Sequence, residues 1–215
     1  CYGGMESMYR RDAVQAREKA EASINYSTEQ GHGFWLAAST FVRGWARFRE
    51  GDQSGGVDEM RRWLALFRAT GAEILQSFYL GSLAEALGEI GETEEAMELV
   101  ELGIRKTRSH GEVISEIDLH RIKGKLLLLQ DQPDRPGAEQ CFHVALQMAR
   151  THSFKVFELR ASVAISRMLL SAGKVDESRH LLEEIYSWFT EGFETQDLKE
   201  AKALLEDLRH EYVSC

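Results

Sequence analysis

Glu139 and His143 stand four residues apart in a helical stretch, the spacing at which two side chains share one face and could grip a metal ion. No second histidine completes the pattern of a helical zinc protease, so the pair reads as a surface contact. Ala172, Gly173, Lys174 and Val175 come nearest to a phosphate-binding loop. They lack both its spacing and the hydroxyl that would hold magnesium, and Gly173 reads instead as the end of a helix. The carboxylates Glu92, Glu94, Glu95 and Glu98 crowd one short tract and suit a solvated helix face. Cys141 falls in a helical pattern and reads as a small core or half-buried residue rather than a nucleophile. Cys1, Cys141 and Cys215 are odd in number and show no paired spacing, which fits a reducing cytoplasm. No serine or cysteine has an identifiable base partner. The expectation is therefore no catalytic residue, no cofactor and no metal.

What remains is recognition, and recognition needs a surface. The chain has to be divided into elements before that surface can be found. Phe78 to Thr107, FYLGSLAEALGEIGETEEAMELVELGIRKT, reads as two amphipathic helices. Leu80, Leu83, Ala84, Leu87 and Ile90 line the first and Ala96, Leu99, Val100 and Ile104 the second, with Gly91 between them. Such a hairpin cannot bury its apolar stripe alone, so repetition is expected. It occurs at a spacing of 40: small residues fall mid-helix at Gly4, Gly44, Ala84, Gly124 and Ser166, and early in the following helix at Ala16, Gly56, Ala96, Ala138 and Ser178. Small residues let paired helices approach closely. The turn glycines Gly51, Gly91 and Gly173 follow the same rhythm. Two extra residues enter between Gly124 and Ala138, at DQPDRPG, which places the insertion in a loop.

The predicted fold is all-α: a tetratricopeptide-like solenoid with a period of about 40, a single domain over 1–215. A partial repeat covers 1–30, full repeats cover 31–70, 71–110, 111–152 and 153–193, and a closing helix covers 194–215, with Thr195 as its N-cap and Asp197 near its positive end. The predicted helices are 12–29, 33–50, 54–69, 72–90, 93–109, 112–130, 136–151, 155–172, 175–189 and 196–212. The chain opens at Cys1 in what reads as the second half of a helix, as expected of a C-terminal fragment of a larger protein.

A helical solenoid presents the first helices of its pairs as a concave face. Counting from the small-residue sites places Phe41, Trp45 and Arg49 on that face in one repeat, and Phe78, Glu85 and Glu89 in the next. Asp118, Arg121 and Lys125 follow, then Arg160 and Arg167. An aromatic end followed by a basic one suits an extended peptide or a helix, with rings as anchors and arginines as forked donors to carboxylates. Competing with that, Phe41 and Trp45 can pack on the preceding repeat, and Arg121 can pair with Asp118 one turn away.

The hairpins resemble tetratricopeptide repeats with lengthened helices. More narrowly, GFWLAASTFVRGWARFREG, FYLGSLAEALGEIGETEEAMELVE, DLHRIKGKLLL and ELRASVAISRMLLSAGKVDESRHLLEEIYSWFTEGFETQDLKEAKALLEDL are similar to the C-terminal repeat region of large bacterial signalling proteins. That family joins an adenylate or guanylate cyclase, or another signalling or DNA-binding domain, to a P-loop ATPase module followed by such repeats. Tyr186 to Leu208 carries the most specific part; Gln196 departs from the proline the family often has there. The resemblance implies a non-catalytic interaction or regulatory arm that binds a protein, a peptide or upstream domains of the same chain. The alternative is a structural or self-associating spacer, a homo-oligomer with no ligand groove.

With 26 basic and 35 acidic residues the net charge is −9, which argues against direct nucleic-acid binding. No apolar run approaches a membrane span and no signal-peptide pattern is visible, so a cytoplasmic protein with no membrane partner is expected.

Overall fold

The computed structural model describes residues 2–69 and 75–213. Among them the chain is helical: α1 (Tyr2–Tyr9), α2 (Ala13–Gln30), α3 (Gly33–Arg49), α4 (Gln53–Ala69), α5 (Gln76–Glu89), α6 (Thr93–His110), α7 (Val113–Leu128), α8 (Arg135–Thr151), α9 (Lys155–Ser171), α10 (Val175–Tyr186) and α11 (Gln196–Val213). The all-α expectation is met, with no strand among the described residues. Contacts gather these helices into two compact units, Cys1–Leu99 and Val100–Cys215, whose boundary falls within α6. In the first, consecutive helices α1 to α4 pack in pairs, and α1, α3 and α5 also meet in succession. The second repeats the scheme: consecutive helices α7 to α11 pack in pairs, and α7, α9 and α11 touch one after another.

The turns explain why the helices stop where they do. Gly51, Gly91 and Gly173 have φ of 105°, 87° and 73°, a left-handed backbone that glycine adopts without a Cβ penalty. The next amide then reaches back to a carbonyl five residues earlier: Asp52 to Arg47, Glu92 to Leu87 and Lys174 to Leu169. Arg11 and Ser153 take the same conformation at φ 58° without being glycine, and Asp12 and Phe154 close their turns in the same way. The residue after the left-handed one often starts the next helix. Asp12 and Asp52 accept hydrogen bonds from the amides of Gln15 and Gly55 at 3.0 and 3.1 Å. Asp134 does so from Gly137 at 2.9 Å, after the loop that holds the two-residue insertion.

Each of the ten small-residue positions is buried. Gly44 and Gly56 show why size matters there. A Cβ on Gly44 would lie 2.9 Å from the Gly56 carbonyl oxygen, and one on Gly56 only 2.6 Å from the Phe48 amide nitrogen. In the third full repeat the ring of Phe142 fills the space a Cβ on Gly124 would need. The fourth uses serines, and each hydroxyl donates to the other's carbonyl: Ser166 Oγ to Ser178 O at 3.1 Å, Ser178 Oγ to Ser166 O at 2.9 Å.

Most boundaries fall within two residues of the sequence reading, and two differ by more. α10 ends at Tyr186 rather than Phe189, because the amides of Trp188 and Phe189 turn tightly onto the carbonyls of Ile185 and Tyr186. α5 begins at Gln76 after Leu75 in a left-handed conformation, so its expected start at Ala72 lies outside the described residues.

Candidate interaction surface

All eleven residues expected on the recognition face lie on first helices, namely α3, α5, α7 and α9. Their surroundings differ sharply. Phe41 is fully buried; its ring lies 5.1 Å from that of Trp63 and 4.8 Å from that of Tyr79, and the rings of Trp63 and Phe67 meet at a tilt with centres 5.0 Å apart. An enclosed ring of this kind holds α3, α4 and α5 together and has no face left for a ligand. Trp45 is also buried, and the Arg49 guanidinium lies 5.8 Å from the centre of its ring. Phe78 is half-buried against Tyr9, 4.7 Å away between ring centres, a neighbour that periodicity did not suggest. The Tyr79 hydroxyl and the Trp63 indole nitrogen are buried without a hydrogen-bond partner, and burial raises the Tyr79 pKa.

Arg49, Glu85 and Glu89 do come together. Arg49 Nη1 lies 2.9 Å from both carboxylate oxygens of Glu89, and its Nη2 is 3.6 Å from Glu85. Arg49 and Glu89 are separated by 40 residues, one repeat, so an ion pair joins corresponding ends of α3 and α5. A pair this open to water contributes about 1 kcal/mol or less.

In the second unit Arg121 Nε donates to Asp118 Oδ1 at 2.6 Å, the pair expected from the spacing. Lys125 is half-buried one turn further on, and Arg167 is exposed on α9. Arg160 is engaged elsewhere. Its Nε and Nη2 grip the two oxygens of Asp197 at 3.0 and 2.8 Å, and both side chains are nearly buried, at 12% and 7% exposure. The fork ties the first turn of α11 to α9, while Leu198, Ala201, Leu204, Leu205 and Leu208 pack on Leu159, Leu182 and Ile185. Asp197 thus sits in the first turn as expected but serves a guanidinium there. The Thr195 hydroxyl donates back to Gly192 O at 2.7 Å.

Other buried carboxylates are paired in the same manner. Glu59 on α4 receives Arg43 and Arg47 from α3. Glu158, at the start of α9, holds Arg150 Nε at 2.9 Å and Lys155 Nζ at 2.8 Å. Each carboxylate is committed to a cation, which is structural use of charge. Glu139 and His143 are an exposed pair 3.9 Å apart, and among the described residues no group of three metal-capable side chains forms. Cys141 is half-buried, with its thiol pKa raised by burial. No described helix is long and apolar enough to cross a membrane.

Sequence reasoning missed Tyr9, Glu59, Glu158 and the use of Asp197, all of which act through contacts between helices. No protein-family model matches the sequence, and no curated protein matches it.

Proposed function

We propose that these hairpins are tetratricopeptide-like repeats and that the chain is a non-catalytic interaction and regulatory arm of a cyclase-like or ATPase signalling protein. The observation that carries this reading is the burial of all ten small residues recurring at 40 to 42 residues, which supports closely packed, repeated hairpins. First helices meeting in succession support it, because such a layer presents one continuous face per unit. Glu89 is exposed on the face of the first unit; on that of the second Arg167 is exposed and Lys125 half-buried. These polar groups, rather than the enclosed rings of Phe41 and Trp45, would meet a protein partner or an upstream domain in the cytoplasm.

The pairing of Arg49, Arg121 and Arg160 within the chain favours a second reading, a structural or self-associating spacer. One experiment separates them. The protein is joined to its native upstream coding sequence, and nucleotide turnover is measured with these repeats intact, deleted, or carrying Lys125→Glu and Arg167→Glu. A change of several-fold on deletion, reproduced in part by the charge reversals while helicity is kept, supports the arm. Unchanged turnover with a concentration-dependent dimer by light scattering supports the spacer.

A further inference from the structure

The last residue of α10 and the segment that joins it to α11 carry four rings in eight residues: Tyr186, Trp188, Phe189 and Phe193. They fall into two pairs. Trp188 lies edge-on to Phe189 at 5.2 Å, and Phe193 lies 5.9 Å from Tyr186. The inner member of each pair, Phe189 and Tyr186, packs on the leucine-rich core under α11. The outer members face water: Trp188 is 57% exposed and Phe193 46% exposed. Val156, beside Lys155 whose ammonium lies 5.7 Å from the Trp188 ring, is 40% exposed. Most of the chain's large apolar side chains are buried, so two outward rings on one short segment are unusual. They are also held in place, because each leans on a ring fixed in the core and the adjoining helix is clamped through Arg160 and Asp197.

Charge states what such a surface would accept. From Arg179 to Lys199 the chain has no intervening lysine or arginine, yet it carries Glu183, Glu184, Glu191, Glu194 and Asp197. Asp197 is occupied by Arg160, and Glu184 lies 3.5 Å from Arg150. Glu191 lies between the two outer rings in the sequence and Glu194 follows Phe193 directly; both are exposed, so their charge adds to the field of this segment. The Lys155 ammonium that lies against Trp188 pairs with Glu158 at 2.8 Å, and Arg150, which shares Glu158, also reaches Glu184, so these two cations are matched by two carboxylates. Fixed aromatic anchors on an acidic segment repel an anionic lipid surface and attract a cationic segment.

From this we infer that the Trp188 and Phe193 surface docks a basic amphipathic segment of a partner, apolar side chains on the rings and Lys or Arg toward Glu191 and Glu194. This surface is separate from the first-helix face proposed above and stands without it. Prior fixing of the rings lowers the ordering cost of binding.

The test uses the full chain and a fluorescein-labelled 18-residue Leu/Lys amphipathic helix as the probe. A Leu/Glu helix of the same pattern is the control, and anisotropy is the readout. The expected result is saturable binding of the Leu/Lys helix only, weakened at least about tenfold by Trp188→Ala with Phe193→Ala. Glu191→Lys should weaken it several-fold and flatten its salt dependence. Tyr26→Ala with Val14→Ala, which removes exposed apolar groups elsewhere, should change nothing. Phe193→Ser alone serves if the double variant loses its helical circular dichroism. Equal binding by the aromatic variants, or by the Leu/Glu helix, overturns the inference. So does binding to phosphatidylserine vesicles that needs Trp188, or a dimer abolished by Trp188→Ala with Phe193→Ala in the absence of peptide.

Discussion

Gly56→Ala adds one methyl group, and the structure gives the sign of its effect. In an open helix interior this change gains about 0.5–1 kcal/mol, because glycine loses more backbone freedom on folding than alanine. Here the new Cβ would stand 2.6 Å from the Phe48 nitrogen, 2.7 Å from the Gly44 oxygen and 2.8 Å from the Phe48 Cα, all backbone atoms of α3. Ordinary contact begins near 3.4 Å, so the helices must part by about 0.8 Å where they cross. Overpacking a rigid contact costs about 1–3 kcal/mol, which outweighs the propensity gain and leaves a net loss of about 1–2 kcal/mol. For a chain of this size that lowers Tm by about 2–8 °C. Gly33→Ala is the counterpart. At the start of α3 its Cβ would meet nothing within 4 Å, and Tm should stay level or rise by about 1–2 °C. Thermal melts followed by circular dichroism at 222 nm compare the two. If Gly56→Ala raises Tm as Gly33→Ala does, the close crossing of α3 and α4 is refuted, and with it the reason for the small-residue rhythm.

Asp197→Ala strands Arg160 beneath α11, and stranding one member of a nearly buried pair should cost about 3 kcal/mol. Urea melts should show this, and hydrogen exchange should rise first in α11; Arg160→Met with Asp197→Leu should recover most of the loss. Ser153→Gly relieves a left-handed residue and should stabilise by about 0.5–1 kcal/mol. Gly111→Ala, at the corresponding turn with φ 69°, should destabilise by about 1 kcal/mol, and equal melts for both variants would remove the turn argument. His120 provides a pH test. Burial lowers its pKa despite Glu116 and Glu101, and Lys123 and Arg108 add to the effect. The unfolded chain therefore binds this proton more readily, so stability is retained above about pH 6.5 and falls as pH drops through the lowered folded value. His120→Leu should flatten that slope in melts at pH 5 and 7.5; an unchanged slope would assign it to other groups.

Helix positions were legible because they rest on local rules. Apolar spacing, turn glycines and small residues at 40-residue steps located α2 to α11 to within a few residues at most ends. Arg121 with Asp118 was legible for the same reason, being three residues apart on one helix. The fate of Phe41 was not, because helical spacing says that a residue faces inward without saying which neighbour it meets. Arg160 illustrates the same gap: its partner lies 37 residues away on another helix, a distance over which periodicity carries no pairing information. The left-handed turns at Arg11 and Ser153 were hidden because their residue types do not announce that backbone. The aspartates after the turns at Asp12, Asp52 and Asp134 were visible in the sequence, and their spacing of 40 and 82 would have given a further register.

The short turns also bear on how fast the protein forms. Ser166 and Ser178 exchange hydrogen bonds across 12 residues, and Arg43 reaches Glu59 across 16, so each hairpin closes a small loop and little chain entropy is lost before contacts compensate it. Folding should accordingly be quick, in the microsecond-to-millisecond range of helical proteins rich in local contacts. The Arg160 to Asp197 fork spans 37 residues and requires α9 to be in place before α11 can dock. It belongs to the late part of the reaction. Asp197→Ala should therefore hasten unfolding while leaving the folding rate nearly unchanged, so the lifetime of the folded second unit is set by its last helix.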